Sequence, residues 1–262
     1  MESMHFIFDG IKSSDMNLYN VRVGHSGFVE VPFIGRADIN ETTSHKKIIP
    51  RLHSLKREPI SFTLQFMLMD DNLQPKEWTP EDRYKIGKWL IHDTYKEFQT
   101  SDDLGKYYYV IIEDAEKLYL ASGKGYLEVT CRTNSPYAWS KLHNYEFDLS
   151  DNDDTTIIIL ENKSNVEKFH YPKIEIESLA SNTTVELKNL SNSNKITKFD
   201  GLNKNEVVSV DNENRFIKNN LTGTNPFEKF NKVWLELVQG NNEIEVTGKC
   251  KLWVKSRFAI AQ

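Results

Sequence analysis

A reaction centre needs several competent side chains at compatible spacing, so the residues that could do chemistry are the first test of this chain. Its seven histidines, His5, His25, His45, His53, His92, His143 and His170, are scattered, with no paired metal-ligand spacing. Cys131 and Cys250 are the two cysteines, each in a strand-like run, and they read as buried free thiols. Carboxylate pairs occur at Asp70-Asp71, Asp102-Asp103 and Asp153-Asp154, all in turn-like polar segments where solvated acids are expected. There is no nucleophile elbow, no phosphate-cradling glycine loop, and no HExxH or EF-hand spacing. The sequence therefore names no catalytic residue, no metal site and no cofactor, and the chain does not read as an enzyme.

What remains is surface chemistry. Trp234 and Trp253 are candidate platforms for stacking on a sugar ring, although both alternate with apolar neighbours. In Val233-Trp234-Leu235-Glu236-Leu237, period two groups Val233, Leu235 and Leu237 on one face and puts Trp234 with Glu236 on the other. Trp234 and Glu236 are thus the candidate glycan or partner surface. Tyr107, Tyr108 and Tyr109 are explained at least as well by strand packing. A different feature is the basic segment over residues 35–58, with six Lys/Arg, three acidic residues and two His. About 20 residues without a core pattern is long for a connection in a compact domain. It is either a mobile surface loop or a projecting hairpin arm ordered by a neighbouring subunit.

The elements that would position these groups are mostly strands. In residues 59–69, Ile60, Phe62, Leu64, Phe66 and Leu68 recur at period two, with Ser61, Thr63 and Gln65 between them, which predicts a half-buried strand. One helix is legible: Thr79 as N-cap, Pro80 at the first helical position, Glu81 and Asp82 in the first turn, then Ile86, Trp89 and Leu90 as an apolar stripe. Strand-like runs follow at 106–112, 117–121 and 125–131, a β-meander pattern. Near residue 135 the composition shifts. Short strands are then expected at 155–160, 171–179, 183–190, 205–211, 232–238, 242–246 and 250–254, linked by SN, DNEN and GNN turns. The fold class is mainly β: an N-terminal β-barrel or sandwich-like domain over 1–138, with one α-helix and the projecting segment, and a jelly-roll β-sandwich over 139–262.

Composition narrows the partners. The chain has 262 residues, a formal charge of −5 and 39% apolar residues, enough for two domains with their own cores. Lys plus Arg number 33 against 38 acidic residues, and both halves share that near-balance, so nucleic-acid recognition is not expected. The N-terminus lacks a secretory pattern and no apolar run approaches a membrane span. The expectation is a protein made in a cytoplasm, so sequons such as Asn40-Glu41-Thr42 and Asn182-Thr183-Thr184 read as coincidences of Asn-rich turns.

Several segments in order resemble the distal tail protein (Dit) family of siphophages. They are Phe6-Ile7-Phe8-Asp9-Gly10-Ile11-Lys12-Ser13-Ser14-Asp15, Pro32-Phe33-Ile34-Gly35-Arg36, the strand from Arg57 to Leu68, Trp89-Leu90, Ser135-Pro136-Tyr137-Ala138, and FNKVWLELVQGNNEIEVTG over 230–248. Phe33-Ile34, Ala37 and Gln239 depart from the family pattern. The resemblance implies a virion protein of the tail tip that forms a homohexameric ring through its first domain. The ring would join the tail tube to baseplate, tail-associated lysin and receptor-binding proteins. It also implies a galectin-like second domain, which contacts host glycan in some members. By the same resemblance, the segment 35–58 becomes an arm that embraces the next subunit, with Arg36, Lys46, Lys47, Ile48, Ile49, Arg51 and Leu55 at the ring interface. The competing reading is a carbohydrate-binding module contacting the cell wall through the C-terminal jelly roll.

Overall fold

The computed structural model describes residues 2–3, 5–23, 35–43, 48–101, 103–119 and 124–261. The chain divides into two compact units, Met1–Trp139 with Ala261–Gln262, and Ser140–Ile260.

The first unit contains β1 (Glu2–Ser3), β2 (Phe6–Phe8), β3 (Ile11–Lys12), β4 (Leu18–Val23), β5 (Ala37–Thr42), β6 (Arg51–Arg57), β7 (Ser61–Leu68), α1 (Pro80–Leu90), β8 (Lys96–Thr100), β9 (Lys106–Tyr119) and β10 (Gly125–Thr133). Eight of these strands form one sheet in the order β1-β4-β7-β10-β9-β8-β2-β3. The long period-two strand is β7, with Phe62, Leu64, Phe66 and Leu68 all buried. Helix α1 starts as its residues require: Thr79 Oγ1 accepts from the Asp82 amide at 3.1 Å, and the Asp82 carboxylate accepts from the Thr79 amide at 3.3 Å. Its apolar stripe covers the sheet. Phe6 stacks on Trp89 at 5.5 Å and tilts against Phe66 at 5.5 Å. The two indole N–H groups of this core are satisfied, Trp89 by the Phe8 carbonyl at 3.1 Å and Trp78 by the Gly125 carbonyl at 3.0 Å.

After β11 (Ala138–Ser140) the second unit contains β12 (His143–Leu149), β13 (Thr155–Asn162), β14 (Lys173–Ser178), β15 (Thr183–Asn189), β16 (Lys195–Leu202), β17 (Val207–Asp211), β18 (Phe216–Asn219), β19 (Gly240–Thr247) and β20 (Cys250–Ser256). They form a five-stranded sheet, β12-β20-β14-β17-β18, and a four-stranded sheet, β13-β19-β15-β16. All nine pair antiparallel. One apolar cluster draws Ile176, Val210, Leu252 and Val254 from the first and Leu160, Val185, Phe199 and Ile244 from the second, so the unit is a β-sandwich. The turn residues behave as read: Asn182, Asn194 and Arg215 carry positive φ of 54, 57 and 53°, and Gly240 sits at 83°.

One expected strand is absent. Residues 232–238 are extended but belong to no ladder, with a single bridge between Leu237 and His170. Lys232 at φ 66° breaks the run at its start. Asparagine side chains then replace a strand partner. The amides of Leu235 and Val238 donate to Asn212 Oδ1 and Asn242 Oδ1, each at 2.9 Å. The carbonyls of Glu236 and Leu237 accept from Asn189 Nδ2 at 2.9 Å and Asn162 Nδ2 at 3.3 Å. All four asparagines are buried, and paired amide groups are what a buried polar side chain requires.

Candidate functional site, an exposed hairpin arm

Strands β4 and β7 are neighbours in the main sheet, and the chain between them is extruded as a separate two-stranded ribbon, β5 with β6. The segment 35–58 is therefore a hairpin over its described residues. Ile39 stands opposite Leu55; after a bulge between Asn40 and Glu41, Leu52 stands opposite Glu41. Because residues two apart share a face, Ala37, Ile39 and Glu41 line one side with their partners Arg57, Leu55 and Leu52, an aliphatic centre between charged ends. The other side carries Asp38, Asn40 and Thr42 with Lys56, Ser54 and Arg51. The ribbon is amphipathic, and its aliphatic side chains are exposed among the described residues: Ile39 is 54% exposed, Leu52 58% and Leu55 47%. Beyond it Ile48 and Ile49 are 100% and 80% exposed. An uncovered two-stranded hairpin is marginal in water, so its aliphatic face is a surface that lacks its opposing layer.

The base of the ribbon, by contrast, is fixed. The Glu58 amide donates to the Arg36 carbonyl at 2.9 Å and the Gly35 amide to the Pro136 carbonyl at 3.2 Å. Thr133 clamps the return strand, accepting from the Ile60 amide at 2.9 Å while its own amide donates to the Ile60 carbonyl at 2.9 Å. Gly35 is required here, since a Cβ would lie 1.7 Å from the Glu58 carbonyl oxygen. Of the residues read as interface, Arg36 is exposed at this base, Arg51 and Leu55 lie on β6, and Ile48 and Ile49 lie before it. Lys46 and Lys47 fall outside the described residues. Ile39 and Leu52 are not marked by the sequence: the bulge puts Leu52 out of phase with Leu55, and Ile39 stands alone between polar residues of β5.

The other candidate pair is engaged inside the second unit. Trp234 is half-buried against the core, edge-on to Phe230 at 4.9 Å and to Phe227 at 6.3 Å. Glu236 forms an ion pair with Lys195 at 2.7 Å and accepts from Asn192 Nδ2 at 3.0 Å and the Tyr171 hydroxyl at 3.4 Å. Burial raises its pKa, but the Lys195 ammonium and these hydrogen bonds outweigh that and hold the carboxyl below its ordinary value.

Reactive groups stay isolated. Both cysteines are buried and free; desolvation raises the Cys131 thiol far above its ordinary range and pushes Cys250 up to about 12, so neither is a thiolate near neutrality. Asp70 caps a turn, accepting from the amides of Asn72 and Gln74 at 2.9 Å, and Asp153 pairs with Lys249 at 2.6 Å. Asp102 lies outside the described residues. Among the described residues no three His, Cys, Asp or Glu side chains gather as a metal site, and no helix is long and apolar enough to cross a membrane.

Sequence comparison assigns this two-unit, mainly β chain to a family. Residues 1–135 match a family model described as the phage tail protein N-terminal domain, and residues 137–255 match one described as the phage tail C-terminal domain. The chain belongs to this phage tail protein family, which makes it a structural component of a virion tail. It is 25% identical over 262 residues to the SPbeta prophage-derived uncharacterized protein YomH of Bacillus subtilis (strain 168), covering 98% of each chain. Its fold is that of the distal tail protein: it superposes on SPP1 Dit (gp 19.1), described as a paradigm of the hub adsorption apparatus in Gram-positive infecting phages. The TM-score is 0.69 at 16% identity, over 97% of this chain and 98% of that one. A chain of the phage P2 baseplate in its activated conformation with Ca matches at TM-score 0.53 and 11% identity, with coverage of 97% and 98%.

Proposed function

We propose that this protein forms a ring, of about six copies, that joins the tail tube to the baseplate and receptor-binding apparatus at the tail tip. In this reading residues 1–138 build the ring and residues 139–262 form a galectin-like sandwich. Tail tube and tail-associated lysin proteins are its axial partners, and receptor-binding proteins its peripheral ones.

The observation that carries the proposal is the uncovered aliphatic face of the arm. Burying what is now exposed of Ile39, Ile48, Ile49, Leu52 and Leu55 would contribute roughly 7 kcal/mol per arm, at about 2 kcal/mol per fully buried side chain. Association itself costs about 4–15 kcal/mol, so one arm alone makes a marginal pair. A cyclic assembly changes that balance, because every subunit both gives an arm and receives one, and closure adds a contact without a further loss of freedom. The exposed Arg36 and Arg51, with Lys46 and Lys47, would set register against acidic groups of the neighbour. Six copies, the axial partners and the embracing arm are implied by the family resemblance, and the exposed aliphatic side chains of the hairpin support the arm as the contact.

Deleting residues 38–56 tests this. Native mass spectrometry of the full chain is expected to give the ring at high concentration and of the deletion a folded monomer. A deletion that assembles like the parent would remove the arm from the interface. A parent that stays monomeric over a broad concentration range would remove the ring.

A further inference from the structure

Residues 163–172 of the second unit belong to neither sheet, and a two-way bridge ties them to the run 232–238. The His170 amide donates to the Leu237 carbonyl at 2.9 Å, and the Leu237 amide to the His170 carbonyl at 2.8 Å. The bridge decides which side chains face outward. His170 turns onto the Phe258 ring, centroids 4.8 Å apart, so its neighbours Phe169 and Tyr171 face the other way. They open onto a cavity of about 550 Å³, walled also by Glu167, Val238, Gln239 and, from the turn after β17, Glu213. Phe169 is 50% exposed, and the Tyr171 ring is held by its hydroxyl, which donates to Glu236 at 3.4 Å. Gln239 Nε2 donates to the Ser164 carbonyl at 3.0 Å, which leaves its amide oxygen as an acceptor. Among the described residues the lining carries two carboxylates, Glu167 and Glu213, against one ammonium, Lys168. The acids beside it are neutralised, Asp211 by Lys173 at 2.8 Å and Glu236 by Lys195 at 2.7 Å. Glu213 is not: burial and then the Asp211 carboxylate raise its carboxyl above the ordinary range, and Lys168 offsets them only in part.

We propose that this cavity binds an organic cation that carries N–H groups on an aliphatic stem, a guanidinium or a primary ammonium. Phe169 and Tyr171 form its aromatic wall, and Glu167 and Glu213 its counter-charges. The chemistry selects that class. The face of an aromatic ring attracts a cation, and carboxylates accept its N–H groups at charge-assisted strength. An aliphatic stem matches Val238 and the ring edges. An anion would meet two carboxylates against one ammonium. A neutral ligand would cover Glu213 without supplying the positive charge it lacks, which costs desolvation with no return. A quaternary ammonium would suit the rings but offer the carboxylates and the Gln239 amide oxygen no N–H to accept. Among the described residues no third ligand joins the two carboxylates for a metal ion. The volume lies within the range of small-molecule pockets, about 300–1,000 Å³. Gln239 is one of the positions at which this chain departs from the tail protein pattern, so the lining includes a residue that the pattern does not supply. The inference does not depend on the ring, and a monomeric chain would carry the site equally.

The test is a calorimetric titration of the full chain at constant ionic strength with Nα-acetylarginine amide, Nα-acetyllysine amide, cadaverine and tetramethylammonium chloride, each to about 20 mM. At least one of the first three should bind, and tetramethylammonium about ten-fold more weakly or not at all. Glu213→Gln, which keeps the shape and removes the charge, should weaken that binding about ten-fold, and Phe169→Ala about three-fold. Glu186→Gln, a carboxylate outside the lining, should leave it unchanged. Phe169 and Glu213 are both exposed, so circular dichroism melts of their variants should match the parent. Tighter binding of the acetylated amides than of cadaverine would assign the source to a side chain of a partner protein, and the reverse to a free amine; either result supports the class. Binding of none of the three, equal affinity for tetramethylammonium, or binding that survives Glu213→Gln would overturn the proposal.

Discussion

The arm and the sandwich are made of the same material, antiparallel strands with one aliphatic and one polar face, yet they end in opposite states. In the second unit each apolar face meets another: Phe199 and Ile244 of one sheet share a core with Ile176 and Val254 of the other, all nearly solvent-free. In β5 and β6 the equivalent face, Ile39 with Leu55 and Leu52, is about half exposed, with no second layer over it among the described residues. The difference is not propensity but the number of layers, since an amphipathic strand is satisfied only when a second layer covers it. Where the chain supplies that layer the result is a domain; where it does not, the result is a surface awaiting a partner.

The contrast can be broken at its strong end first. Phe199, 0% exposed and stacked on Phe230 at 4.9 Å, anchors the filled core. Phe199→Ala is expected to cost about 3–5 kcal/mol in urea unfolding of the second unit. Leu55→Ala in the monomer should stay within about 0.5 kcal/mol of the parent, because its side chain has little to lose. Similar costs at both sites would mean that the arm is covered after all.

The next effect is smaller and depends on pH. His170 packs against the Phe258 ring, centroids 4.8 Å apart, and its Nε2 lacks a hydrogen-bond partner. Burial pushes its pKa down to about 4 from 6.5. The unfolded chain therefore takes up this proton near pH 6.5 while the folded chain resists it until about pH 4. Stability that is fully present above pH 6.5 is lost as the pH falls through that window, by about 2–3 kcal/mol at pH 4.5. His143, on the same ring at 5.2 Å, is lowered by burial and then by Lys163 and Lys141, and acts in the same direction. Urea melts of His170→Phe at pH 7 and 4.5 should show a markedly smaller pH difference than the parent; an unchanged difference would place the titration elsewhere.

How much of this was legible in the sequence follows from the same idea of layers. The sandwich strands around Ile174, Val208 and Leu252 show unbroken alternation, because one face of each is filled, and α1 declares itself through Thr79 and Pro80; β7 is legible as a strand from its period-two residues, but it is not half-buried, since Thr63 and Met67 on its other face are buried too. Strand β12 is not among the strands expected from the sequence. Its alternation of Tyr145, Phe147 and Leu149 with Asn144, Glu146 and Asp148 is present, but the acidic turn that follows masks it. The opposite error occurred at 232–238, whose apolar alternation reads as a strand although buried asparagines far away in sequence take the place of a ladder. The two candidate sites were obscured for distinct reasons. In the arm, the bulge shifts Leu52 out of phase with Leu55, so the apolar face is invisible until the register is known. In the second unit, alternation around Trp234 and Trp253 is equally suggestive, and only the ring contacts of Phe227 and Phe230 tell them apart.

The most direct test of the central claim is sedimentation velocity of the parent and of Ile39→Asp/Leu55→Asp over a wide concentration range. The account predicts a concentration-dependent ring for the parent. For the variant it predicts a monomer with an unchanged melting profile, since the two carboxylates would have to be buried in the interface but not in the free chain. A variant that still forms the ring would contradict it.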